Sequence, residues 1–332
     1  MEVYQGNQVD RKAWMDFYKS NPIATPFQSP TFYDTINSLK GYSASVIAVK
    51  KDGIIKALAV VTIQQERGIK SYFSRRAIIY GGILFDNNEL DAVILLQDHL
   101  IKSLKRKVIF IEIRNLYEIS NIVSLFSSNN WEYTPYLNVE LTIVDKTIDS
   151  LLGGMKYNRR REIRMSLERG AKYKLCTTIK DLRSLYDILD DLYKNRVKLP
   201  LPSFDYFKAL FVNDFAKIFI VEHDNKIIGG SICPFSKENN TIYTFYYCGL
   251  RTYHKEIFPS HLSVLAVIDY AVNNQFEKVD FMGAGIKDKP YSIRDYKLGF
   301  GGKLYETGRF LYIVNPFLYN LGKSFLKFIQ RN

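Results

Sequence analysis

The same order of elements is written into this sequence twice, and that repeat limits the fold more than any single motif does. In the first half, YSASVIAVK (42–50), a KDG turn and IIKALAVVTIQQ (54–65) have the alternation and turn chemistry of a β-hairpin. RAIIYGGILF (76–85) follows as a third strand. LDAVILLQDHLIKSLKRK (90–107) has apolar residues at helical spacing, and VIFIEI (108–113) is a short apolar strand. A helix over 119–131 and a strand over 136–144 close the set. The second half repeats it. AKIFIVEH (216–223) and KIIGGSICPFS (226–236) flank a DNK turn, a strand covers 240–250, and a helix over 259–276 opens on Pro259 and Ser260. The short strand 278–283 and a closing strand over 303–314 complete it. Helices over 11–20 and 29–39 precede the first copy, and helices over 178–195 and 203–213 the second.

Each copy is an antiparallel start joined to a βαβ crossover. That predicts an α/β fold with mixed sheets and helices on both faces, built twice. The 332 residues suit two domains better than one core, and these are expected at 1–150 and 151–332. Gly153-Gly154 breaks the chain near the boundary, and a strongly basic helix then runs to Gly170, a natural C-terminal glycine. The stretch 316–332 reads as an amphipathic helix with Lys323, Lys327 and Arg331 on its polar side. It is expected to pack back on the first domain, with contact at a membrane surface as the alternative.

The formal charge of +12 favours an anionic partner: RNA, an anionic lipid surface or a phosphorylated substrate. Three cysteines, Cys176, Cys233 and Cys248, form no CxxC pair and suit a reducing compartment. The four histidines make no HExxH or Cys/His cluster, so no metal is expected. The start MEVYQGNQVDRKAW lacks a basic stretch followed by an apolar run, and no run of 18 apolar residues occurs. These features predict a cytoplasmic protein, with room for peripheral contact at the inner face of the membrane.

One stretch resists a purely structural reading. PYSIRDYKLGFGG (290–302) puts two tyrosines, an arginine, an aspartate and a lysine into eight residues, then closes on Gly-Phe-Gly-Gly. Rings give shape and charges meet a ligand, as in the wall of a groove. Together with PFQSP (26–30), YNRRREIR (157–164) and DFMGAG (280–285), it resembles the FemABX family, tandem GNAT-fold aminoacyltransferases that extend peptidoglycan side chains. The resemblance covers nearly the whole chain in order. It implies an acyl- or aminoacyltransferase that forms an amide on an amine, with a cell-wall precursor as acceptor. It implies no tightly bound cofactor. The donor is aminoacyl-tRNA or an acyl thioester carried by CoA or a carrier protein, and the acceptor an anionic small molecule or a lipid-linked one. Family members that read aminoacyl-tRNA often carry a long helical hairpin, and residues 171–215 hold only two ordinary helices. A general N-acyltransferase using a thioester is therefore the alternative, and a non-catalytic basic binding module a third.

The resemblance places Lys297 toward acceptor phosphates, and an ammonium beside a Gly-rich turn suits an anion. Arg294 offers a bidentate contact to phosphate, or an ion pair with Asp295. Tyr291 flanks them, and Gly301 allows close backbone approach to a ligand. In the basic helix, Arg160 and Arg161 are the expected anion contacts, with Tyr157 as a nearby ring. Arg196 stands where the family often has an acceptor-site arginine, and equally where a helix end welcomes a cation. Glu112 and Asp280 hold matching places on the short strands. Asp280 is the candidate base and Glu112 either a substrate contact or the partner of Arg114. Tyr247 is a candidate hydroxyl donor to an oxyanion. The loop before residue 259 lacks the Gly-rich signature that wraps CoA pyrophosphate on a helix N-terminus. His261 beside Ser260 forms no triad, and Cys248 reads as a packed small residue.

Overall fold

The computed structural model describes residues 1–65 and 74–331, with side chains described to residue 324. The chain divides into two compact units, Met1–Tyr136 with Glu306–Asn332, and Leu137–Tyr305.

Both hairpins form where the sequence places them. In the first unit β1 (Glu2–Gln5) lies beside β2 (Tyr42–Lys51), which turns into β3 (Ile54–Gln64). Asp52 and Gly53 both take positive φ, the two-residue turn whose twist matches that of paired strands. In the second, β10 (Ala216–His223) turns into β11 (Lys226–Ser236) through Asp224 and Asn225, also at positive φ. The repeat reaches finer detail. Each hairpin has one register shift just before its turn, at Val49/Lys50 and at Val221/Glu222.

The predicted third strands are each broken in two. In the first unit β4 (Arg76–Gly81) and β5 (Leu84–Phe85) are separated by Gly81-Gly82, both at positive φ. The PFQSP segment is the reason. Thr25 and Gln28 fill the space where a Cβ on Gly81 would sit, and Gln28 Nε2 donates to Gly82 O at 3.1 Å. That segment is buried scaffold. In the second unit β12 (Thr241–Tyr243) and β13 (Tyr246–Gly249) are separated at Thr244-Phe245.

Each unit then makes its crossover. β4 pairs in parallel with β6 (Phe110–Asn115) across the helix Leu90–Leu104, and β12 pairs in parallel with β14 (Lys278–Ile286) across the helix Pro259–Asn273. The predicted helix over 119–131 contracts to Val123–Ser127, followed by β7 (Glu132–Thr134).

The closing strands depart from the expected 1–150 and 151–332 division. Residues Tyr136–Thr142 form β8, which lies in the second sheet next to β14. The predicted strand 303–314 breaks at Thr307-Gly308, where Gly308 has φ +66°. Its first part, β15 (Lys303–Glu306), pairs with β8. Its second, β16 (Arg309–Ile313), enters the first sheet between β6 and β7. The sheets run β1-β2-β3-β4-β6-β16-β7 and β15-β8-β14-β12-β11-β10-β9, where β9 is Lys172–Leu175. Each half of the sequence thus gives its last strand to the sheet begun by the other.

The exchange is fixed by packing. Phe310 on β16 is fully buried and stacks on Phe126 with ring centroids 4.0 Å apart. Tyr133 covers its other side, and Tyr133 Oη donates to Glu306 at 2.6 Å. Phe310→Ala is expected to cost about 3–5 kcal/mol. Amide hydrogen exchange should then show faster opening of β4 and β6, in the first unit, while β10 and β11 keep their protection.

Candidate functional site

The break between β12 and β13 opens a fork. β12 stays bonded to β14 as far as Tyr243↔Asp280, whereas β13 pairs with β11 alone among the described residues. The short helix Ser292–Leu298, the core of PYSIRDYKLGFGG, bridges the two prongs. Its Tyr296 ring stacks on Tyr247 of β13, 5.8 Å between centroids and 7° from parallel. On the other side, Lys297 Nζ donates to Gly283 O at 2.6 Å and Met282 O at 3.3 Å, both on β14. Arg294 donates from Nε to Ala284 O at 2.8 Å and from Nη2 to Ile286 O at 2.5 Å.

Lys297 is therefore no surface lysine. It is 7% exposed, and burial pulls its ammonium down to about 8, with the charge of Asp280 opposing the fall. An ammonium has three donors, and two of them meet the β14 carbonyls. Asp280 is buried on β14, where the pairing with β12 ends. Its Oδ2 accepts from Tyr305 Oη at 2.7 Å and Asn138 Nδ2 at 3.4 Å, and its Oδ1 from Met282 N at 2.5 Å. Burial raises its carboxyl to about 6, despite the hydrogen bonds from Tyr305 and Met282. Met282 has φ +58°, a conformation that costs a non-glycine residue energy and that often accompanies functional sites. Burial also raises the Tyr247 hydroxyl well above the ordinary phenol range.

The basic helix Tyr157–Glu168 sends a different arginine inward from those expected. Arg159 lies over the rings of Tyr296 and Phe300, at 4.2 and 4.6 Å, and bonds to the Nε2 of His261. Glu162 Oε2 is 2.9 Å from the same nitrogen. Burial and the Arg159 charge push His261 down to about 3, so the ring is neutral at physiological pH. Arg159 Nε and His261 Nδ1 are buried without a partner among the described residues. Helical spacing carries a signal for this, because Arg159, Ile163 and Ser166 follow i, i+4, i+7, and the last two are fully buried.

The other predicted residues separate from this centre. Arg160 Nη1 donates to Gly153 O at 2.9 Å, Arg161 is exposed, and Tyr157 is 69% exposed. Tyr291 is partly exposed and lies over Gly285, where a Cβ would come within 2.8 Å of its ring. Gly301, at φ +92°, brings its own chain close: a Cβ there would be 3.3 Å from Gly154 O. Arg196 is exposed in a π-helical turn, Tyr193–Val197, and the Tyr193 ring of that turn meets Tyr246 of β13 at 6.0 Å. Glu112 lies in the first unit, where Oε2 accepts from Arg114 at 2.7 Å and Oε1 from Arg309 at 3.2 Å. Burial favours its neutral form, but the two guanidinium groups outweigh this and hold the carboxyl below its usual range. It is the centre of an ion-pair cluster. Cys248 and Cys233 are fully buried, which pushes both thiols up to about 12.

The start of the helix Pro259–Asn273 packs closely on Gly249 of β13. A Cβ on Gly249 would lie 2.5 Å from Ser260 N, and Tyr296 Oη donates to Ser260 O at 3.0 Å.

A mixed sheet with a hairpin start, a parallel crossover and a fork between the two following strands is the GNAT arrangement, and the chain builds it twice. Residues 154–297 match the family described as "Acetyltransferase (GNAT) domain". Among solved structures, FemX aligns over 97% of this chain and 99% of its own, at 18% identity and TM-score 0.72. A tandem GNAT protein from the clavulanic acid biosynthesis pathway aligns over 95% and 99%, at 12% identity and TM-score 0.61. L-PGS from Bacillus licheniformis aligns over 98% of each chain, at 11% identity and TM-score 0.57. No curated protein matches the sequence. The chain thus has a tandem GNAT fold of FemABX-like arrangement, and the matched domain contains both Asp280 and Lys297.

The raised carboxyl has a defined consequence. The fold binds the Asp280 proton more tightly than the unfolded chain, whose carboxyl keeps a value near 3.8. The stability this contributes is complete below pH 3.8 and is lost as pH rises through about 6. The difference in urea midpoint between wild type and Asp280→Asn should therefore shift against the wild type across that window and level off above it.

Proposed function

We propose that the second unit transfers an acyl or aminoacyl group to an amine acceptor at the fork between β13 and β14, forming an amide. The observation that carries this reading is the Lys297–Asp280 pair at the base of the fork. Two titratable groups of opposite charge are buried there, and one ammonium donor has no acceptor among the described residues. Aminolysis of an activated ester needs a neutral amine held in line with the carbonyl, and a donor for the oxygen that becomes negative in the tetrahedral intermediate. The remaining Lys297 donor supplies charge at that place. Tyr247 is a second donor on the opposite prong, held by its stack on Tyr296. Arg294 and the Met282 turn keep Lys297 in position. The proton lost by the amine passes to the leaving oxygen or sulfur, so Asp280 acts through its charge, which favours the protonated form of Lys297, rather than as the base.

The acceptor we favour is an anionic, cell-wall type precursor. The FemABX-like arrangement and the +12 charge support it. Arg161, Tyr157 and Arg196 are exposed groups of the second unit suited to bind it, with the half-buried Arg160 and the partly exposed Tyr291 beside them in the sequence motifs. For the donor, the lack of a Gly-rich pyrophosphate-wrapping signature in the loop before residue 259 supports one without a pyrophosphate at that place, such as an aminoacyl ester. An acyl thioester is the second reading, favoured by the GNAT domain match itself.

The test is product formation with a UDP-linked muramyl peptide as acceptor, offered aminoacyl-tRNA, acetyl-CoA or a long-chain acyl-CoA in turn, with amide products read by mass spectrometry. Lys297→Met should lower turnover on the order of 10²–10³-fold. Product from thioesters alone would shift the donor to CoA or a carrier. No product with any donor, or an unimpaired Lys297→Met, would sink the reading.

A further inference from the structure

The helix Pro316–Arg331 belongs to the first unit. Asn315 caps it, accepting from Leu318 N at 3.0 Å. Tyr319 anchors it, ring to ring with Phe110 of β6 at 5.5 Å. Phe317 and Leu321 are four residues apart on the side away from Tyr319. Phe317 is 76% exposed, the highest value among the exposed large apolar side chains of the described residues, and Leu321 is 47% exposed. The sequence of this helix, PFLYNLGKSFLKFIQR, contains Lys323, Lys327 and Arg331 and no carboxylate. No helix of the described residues is long and apolar enough to cross a membrane.

We infer that this helix docks the protein on an anionic bilayer surface, with Phe317 and Leu321 entering the interface and the net positive charge of the segment drawing it to anionic headgroups, while Lys323 Nζ stays over the Tyr319 ring at 5.8 Å. An exposed apolar pair on a helix of purely positive charge suits that occupant. A second copy of the chain suits it poorly, since two such helices each carry positive charge and offer one another no carboxylate. The inference stands apart from the transfer reaction, because vesicle binding needs neither donor nor acceptor.

The experiment is sedimentation of the full chain with vesicles of phosphatidylcholine alone or mixed with phosphatidylglycerol. The wild type should sediment with the mixed vesicles and remain in solution with phosphatidylcholine. Phe317→Glu combined with Leu321→Glu should lower the partition coefficient on the order of tenfold. Both positions are exposed, so the unfolding midpoint should hold and separate lost docking from lost folding. Equal sedimentation with both vesicles, or equal partition of variant and wild type, would overturn the inference. So would failure of the wild type to bind. A lipid-independent dimer that the double variant abolishes would assign the face to a second copy.

Discussion

A strand that leaves its neighbour leaves carbonyls to be satisfied, and the fork of this protein depends on how that debt is met. β14 runs on to Ile286, past the point where its pairing with β12 ends at Asp280. The carbonyls of Met282, Gly283, Ala284 and Ile286 receive donors from Lys297 and Arg294. Side-chain cations here do what a paired strand does elsewhere. They also fasten the helix Ser292–Leu298 in place, and that helix carries the ring that stacks on Tyr247. Opening the sheet and positioning the charges are thus one arrangement.

Its electrostatics follow from the same geometry. An ammonium held only by carbonyls in a buried place would favour losing its proton, and Asp280 opposes this. The carboxylate in turn is costly to bury, and Tyr305, Asn138 and the Met282 amide share that cost. Next to it, Arg159 is held by two aromatic faces and a neutral imidazole. The second unit therefore draws in two cations around the helix Ser292–Leu298, the buried Lys297 and the half-buried Arg159, each with a different means of support.

Much of this was legible in the sequence. Asp-Gly and Asp-Asn turns between alternating strands announce both hairpins, and apolar spacing announces both crossover helices. The residues of PYSIRDYKLGFGG stand out in the sequence as a mixture that suits neither a core nor a surface loop, and Lys297 and Asp280 are both buried in the second unit. What could not be read was direction. A lysine that caps carbonyls and one that faces solvent have the same local pattern. In the run Arg159-Arg160-Arg161, only the alignment of Arg159 with Ile163 and Ser166 tells which arginine turns inward. Gly301 and Gly302 do permit close approach, but to the chain's own backbone at Gly154 and Glu140. Strand partners were also hidden. β8 and β16 alternate like any closing strand, and nothing local in either says which sheet will take it.

That exchange of strands bears on how the protein is made. The first sheet is started by the earliest residues of the chain, yet the strand between β6 and β7 is β16, residues Arg309–Ile313. On the ribosome, a nascent chain of some 140 residues holds every other strand of that sheet and an unfilled slot between two of them. Domain-by-domain folding during synthesis, the usual course for two-domain chains, cannot finish here in sequence order. The first unit must wait, with strand edges open to chaperones or to wrong partners, until β16 has emerged.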